Sequence, residues 1–279
     1  MTLASLMVRL VPGGANDALL ALAVDLALRL KVTEAIGVAA CQPLQVLGSP
    51  EAYVPQDLLD RDRAQTERDL EACRQSFNAA FEGKVTTVEW RSAVTFDSLS
   101  DWVAQQMRAA DLLVTPADEG TGSLFDASRR VGVADLVLKT GRPLLIVGRD
   151  VARLDLSSVV VAWKDGREAR RAVEDSLPLL RLAERVTVLE IAAAGEVEAA
   201  RNRVEDVADW LARHGIAASG QAVASVGDDA TQLSSLAAEL GAGLLVGGAY
   251  GHARLREWIL GGVTEDLLLR PVRCSLVSH

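Results

Sequence analysis

The chain has 279 residues, 29 basic against 38 acidic side chains for a formal charge of −9, and 49% hydrophobic content. That length can bury one large core or two cores of roughly 100–150 residues each, and the mixture of apolar and charged residues excludes a disordered polymer. Acidic residues exceed basic ones in both 1–150 (20 against 15) and 151–279 (18 against 14), so no basic tail exists to suit a nucleic-acid backbone or an anionic membrane. Three widely spaced cysteines, Cys41, Cys73 and Cys274, with no CxxC, argue against a disulfide framework and fit a reducing compartment. Met1 to Gly14 does not read as a signal peptide, and no stretch approaches the roughly 20 apolar residues of a membrane span. The cytoplasm is the expected location.

In chain order, Leu6–Val11 reads as a buried strand and Asp17–Leu30 as an amphipathic helix. Glu34–Ala40 is a second strand, Leu58–Phe81 a polar helix, Thr86–Ala93 a third strand and Ser98–Ala110 a third helix. Asp111–Val114 is followed by the Gly132-Val133 pair, a short helical run and the strand Pro143–Val147. The same order then recurs: Val159–Trp163, Arg167–Leu182, Val186–Ile191, Val197–His214, Ala217–Ser225, Ala230–Leu240, Gly243–Val246, Gly262-Val263, Glu265–Arg270 and Cys274–Val277. Strands alternating with helices predict parallel sheets covered on both faces. The fold class expected is therefore α/β, with two tandem doubly wound, Rossmann-like domains over 1–148 and 157–279. The charged linker Gly148–Ser157 stands between them.

The most informative stretch is 244–264, LLVGGAYGHARLREWILGGVT. A buried strand runs into Gly248-x-x-Gly251, nine residues intervene, and Gly261-Gly262-Val263-Thr264 opens a helix. Glycines let a backbone approach an anion, and a helix start offers free N–H groups and the positive end of its dipole. Thr264, Arg254 and Arg256 could add a hydroxyl and charge. The same glycines also suit plain turns, and the spacing alone leaves both readings open. It is not a Walker A loop, because no Lys-Ser or Lys-Thr follows.

This pattern resembles the ATP-binding loop of universal stress proteins, which reads G-x-x-G, nine residues, then G and Ser or Thr. The opening Val160-Val-Ala-Trp-Lys-Asp165-Gly166-Arg-Glu-Ala resembles that family's first strand and turn. The resemblance implies a tandem universal stress protein of the adenine nucleotide alpha hydrolase-like fold, packed as an internal pseudo-dimer across its final strands, Pro143–Val147 and Cys274–Ser278. A further homodimer is compatible with it. It implies Asp165 near a ribose, the backbone of Ile191 facing adenine, and Gly248, Gly251, Gly261, Gly262, Val263 and Thr264 around the phosphates of ATP or another adenine nucleotide, with Mg²⁺ only alongside nucleotide. Gly262 stands where the family prefers Ser or Thr. The lost bond is worth about 1.5–3 kcal/mol, roughly tenfold or more in affinity.

Asp165 reads equally as a turn or N-cap residue, His252 as an exposed loop histidine, Cys274 as a small buried hydrophobe, and Trp163 and Trp258 as packing residues. The run Arg61–Arg74 reads as a solvated helix face. In the first half, Thr115-Pro116-Ala117-Asp118 replaces the Gly-x-x-Gly, Val131 matches Gly261, and Pro12-Gly13 stands where Asp is expected. With Asp118 and Glu119 repelling a triphosphate, that half reads as a partner domain without ligand. No general base stands beside a phosphate site, no Ser-His-Asp ordering occurs, and three histidines exclude a histidine-rich metal site. The expected function is a nucleotide-binding stress-response protein, at most a slow ATPase. The alternative is a nucleotide-free scaffold for protein interaction.

Overall fold

The computed structural model describes residues 2–44, 55–117, 131–249 and 273–279. In the first half, β1 (Ser5–Arg9), α1 (Asp17–Leu30), β2 (Glu34–Cys41), α2 (Gln56–Phe81), β3 (Thr87–Val94), α3 (Leu99–Gln106), β4 (Leu112–Pro116), α4 (Val133–Thr140) and β5 (Leu144–Val147) follow in order. The second half repeats it with β6 (Val159–Ala162), α5 (Arg167–Leu180), β7 (Val186–Ala192), α6 (Val197–Arg213), β8 (Ala218–Ala224), α7 (Asp229–Glu239), β9 (Leu244–Gly248) and β10 (Cys274–Ser278).

All ten strands join one sheet, in the order β3-β2-β1-β4-β5-β10-β9-β6-β7-β8. Within each half every pairing is parallel, and the halves meet antiparallel where Ser275, Leu276 and Val277 pair Ile146, Leu145 and Leu144. The order reads the same from either end, as an approximate two-fold requires. The expected seam is therefore the observed one. Its consequence is one continuous sheet, with the carboxyl ends of the strands of the two halves at opposite ends of it.

Helices cover both faces because each has one apolar stripe. In α1 the buried residues Leu19, Leu22, Ala23, Leu26 and Ala27 recur at helical spacing. In the polar α2 the stripe narrows to Thr66, Leu70, Cys73, Phe77 and Phe81, and Arg63–Glu67 and Arg74–Glu71 pair on its solvated side. Gly37 of β2 admits this helix closely: a Cβ there would lie 2.7 Å from the Phe77 ring and 2.6 Å from Trp90. One apolar layer contains residues of α1, α2, α5 and α6, and the other residues of α3, α4 and α7.

One expectation changes. The third helix stops at Gln106 and tightens into a 3₁₀ turn over Met107–Ala109 before the chain extends at Ala110. The charged linker between the units packs down: Leu154 and Leu156 are buried, and Arg29 of α1 donates to the Leu154 carbonyl at 2.8 Å. The helical run Glu265–Arg270 lies outside the described residues.

Candidate functional site

In each half β1 or β6 sits between a strand that follows it and one that comes later, β2 and β4 or β7 and β9. The helices that follow β1 and β6, α1 and α5, lie in one apolar layer, and α4, the next helix after β4, lies in the other. Ligands of open α/β sheets bind at the carboxyl ends of the strands beside such a reversal of order. In the second half this switch point lies between β6 and β9, paired through Ala162 and Gly247.

Three of the expected site residues gather there. Asp165 follows β6, Gly248 ends β9, and Ile191 lies near the end of β7, whose Leu189 carbonyl accepts from Trp163 N at 2.8 Å. They thus occupy the carboxyl ends of three adjacent strands. Gly251, Gly261, Gly262, Val263 and Thr264 lie outside the described residues, as do His252, Arg254, Arg256, Trp258, Asp118 and Glu119.

Asp165 is half-exposed, and its Oδ1 accepts from Arg170 Nη2 at 2.5 Å. It is not the N-cap of α5; Gly166 holds that position without a side-chain bond. Ile191 packs its side chain into the α3/α4/α7 layer. Gly248 faces the first turn of α5: a Cβ would stand 2.6 Å from Ala169 N and 2.7 Å from Glu168 O, so the glycine lets helix and strand close together.

Sequence reasoning missed the charged groups beneath these residues. Glu190 of β7 is 5% exposed and takes both oxygens to Arg203 of α6, at 3.2 and 3.1 Å from Nε and 2.5 Å from Nη2. The Glu190 bond holds the guanidinium above its ordinary pKa against desolvation, with Asp165 and Glu196 adding to it. Burial of Glu168 opposes its charge, but bonds from Arg167 and its own backbone N–H, with the charges of Arg167 and His279, hold its carboxyl below the usual range. The available signal was a lone acid inside the apolar run of 186–192. Trp163 is buried, as expected of a packing residue, and Cys274 is buried with its thiol pushed up to about 11 by desolvation.

The first half differs at the matching place. Aligning the registers Leu6↔Leu112 and Val159↔Leu244 sets Arg9 against Ala162, Thr115 against Gly247 and Pro12 against Asp165. Arg9 is 7% exposed; its Nε donates to Thr115 Oγ1 at 2.6 Å and Nη2 to the Pro116 carbonyl at 3.1 Å.

The architecture is thus a doubled, doubly wound α/β fold with its crevices at two switch points. Among solved structures it matches a universal stress protein from Archaeoglobus fulgidus over 98% of this chain and 95% of that one, with TM-score 0.71 and 15% identity. It also matches a Pseudomonas aeruginosa UCBPP-PA14 protein assigned to the universal stress proteins (99% and 93% covered, TM-score 0.56, 17% identity). A functionally unknown protein from Pseudomonas aeruginosa PAO1 matches similarly (99% and 92%, TM-score 0.56, 15% identity). No family model and no curated protein matches the sequence. At these identities the likeness is one of fold, and that fold is the one seen in universal stress proteins. Among the described residues no helix is long and apolar enough to cross a membrane.

Proposed function

We propose that the chain is a tandem universal stress protein, with units over 1–148 and 157–279, that takes one adenine nucleotide in its C-terminal half as a regulatory ligand of a cytoplasmic stress response. The observation that carries this is the gathering of Asp165, Ile191 and Gly248 on three adjacent strand ends at a switch point. The fit is supported by Ala162 and Gly247, which send no long side chain into the crevice, and by the exposed Asp165 carboxylate. In this reading Asp165 holds the ribose, the backbone of Ile191 meets adenine, and Gly248, Gly251, Gly261, Gly262, Val263 and Thr264 surround phosphates, with Mg²⁺ arriving only with nucleotide.

The scaffold reading keeps one observation of its own: the packing of α5 already accounts for Gly248, with no ligand needed. Calorimetric titration with ATP separates the two. One site per chain, abolished by Gly261→Val and tightened by Gly262→Ser, is the expected result. A native protein that binds no ATP favours the scaffold.

A further inference from the structure

An arginine at the end of a fully buried central strand demands an account, because burying a guanidinium forfeits its hydration unless its donors are met. Arg9 belongs to the α3/α4 side of the sheet, alternating with Met7, and Thr115 alternates likewise with Leu113. Its planar fork therefore crosses the gap between β1 and β4 at their carboxyl ends, reaching one side-chain and one main-chain acceptor of β4. That is the N-terminal switch point.

The groups around it are also turned inward. In the turn after β1, Val11 N donates to Asn16 Oδ1 at 2.9 Å, and Asn16 Nδ2 returns to the Val11 carbonyl at 2.9 Å. At the start of α4, Gly132 N donates to Ser100 Oγ at 3.0 Å. Two backbone donors at this switch point, Val11 N and Gly132 N, are thus spent within the chain.

We infer that Arg9 is a tethered occupant of the N-terminal switch point, a long side chain at the register position where the other half carries Ala162, facing Thr115 where the other half carries Gly247, and that it closes this half to small ligands. The guanidinium stays charged at any pH the fold tolerates, so the closure is permanent rather than switched. Removing the side chain beyond Cβ leaves a hole of the shape of ethylguanidinium, with Thr115 Oγ1 and the Pro116 carbonyl among its acceptors.

The test is chemical rescue of the full chain. Arg9→Ala is expected to melt below the native protein, and millimolar ethylguanidinium to raise its melting temperature by several degrees along a saturating curve. The native protein, whose site is filled, should not respond, and ethylammonium, which lacks the fork, should rescue far less. A folded Arg9→Ala protein indifferent to ethylguanidinium, or native protein responding equally, would overturn the inference. Should Arg9→Ala not fold alone, Thr115→Val keeps the shape while removing the acceptor of Nε. Its melting temperature should fall, and an unchanged value would count against Arg9 as the occupant. None of these readouts depends on nucleotide binding in the C-terminal half.

Discussion

Replacing Gly248 by alanine separates two roles that one glycine can hold. The added Cβ would stand 2.6 Å from Ala169 N and 2.7 Å from Glu168 O, where ordinary contacts lie at 3.4–4 Å. Both neighbours are backbone, so no side-chain rotation relieves the clash; the first turn of α5 must retreat by about 1 Å. That helix buries Ala169, Ala172, Val173 and Leu177. Lifting its start unpacks them, and overfilling of this kind costs about 1–3 kcal/mol. At ~2–4 °C per kcal/mol for a large domain, Gly248→Ala should lower the melting temperature of the nucleotide-free protein by about 2–12 °C. Thermal denaturation followed by circular dichroism measures it. Gly195→Ala is the control, because no atom lies within 4 Å of its Cβ position. A Gly248→Ala protein melting with the native one would refute the packing argument and leave ligand approach as the reason for the glycine.

Three further outcomes are expected. Arg203→Met should lower the melting temperature by several degrees by stranding the buried Glu190 carboxylate, and adding Glu190→Leu should recover most of the loss; additive losses would show that the two groups are not coupled. Burial pushes the thiols of Cys73 and Cys274 to about 11 from an ordinary 9.0, so the folded chain keeps protons that the unfolded chain releases, and stability falls as pH rises from about 9 to 11. Replacing both cysteines by alanine should flatten that part of the stability curve, and an unaltered slope would contradict the assignment. Expressed separately, 1–148 and 157–279 should self-associate in gel filtration, because Leu144–Val147 and Cys274–Ser278 are buried strands that would become open edges; a folded monomeric half would tell against the seam.

Most elements were legible because their periodicities are unambiguous: the stripe of α1 repeats at helical spacing, and strands buried on both faces, such as Leu144–Val147, read as continuous apolar runs. The repeat then supplied the order of elements, and the resemblance implied the seam. The strand ends that carry Asp165 and Gly248 were legible from glycines and a turn. What escaped was long-range pairing of charge. Nothing local tells that Arg9 crosses to Thr115, or that Glu190 meets Arg203 thirteen positions later on a helix; each looks like a flaw in an apolar strand until the fold supplies its partner. Of the two plain readings of Asp165, turn or N-cap, the turn is the one observed: Gly166 holds the N-cap, and the Asp165 carboxylate pairs with Arg170.

The antiparallel seam keeps the two switch points independent of one another. Since the strands of each half run parallel and the halves oppose each other, the end of β1 with Arg9 and the end of β6 with Asp165 lie at opposite ends of the sheet. Each crevice is built from its own half's strand ends, and neither faces the other. Arg9 can therefore brace β1 against β4 without touching the β6–β9 crevice. Contacts beside the seam serve cohesion: Arg171 of α5 donates to the Gly141 carbonyl of the first half at 3.4 Å, and Arg29 of α1 ties down the linker through the Leu154 carbonyl. A duplicated fold joined this way permits division of labour, one half filled by its own arginine and the other keeping small residues at its switch point. A seam that placed both crevices together would have tied every change in one to the chemistry of the other.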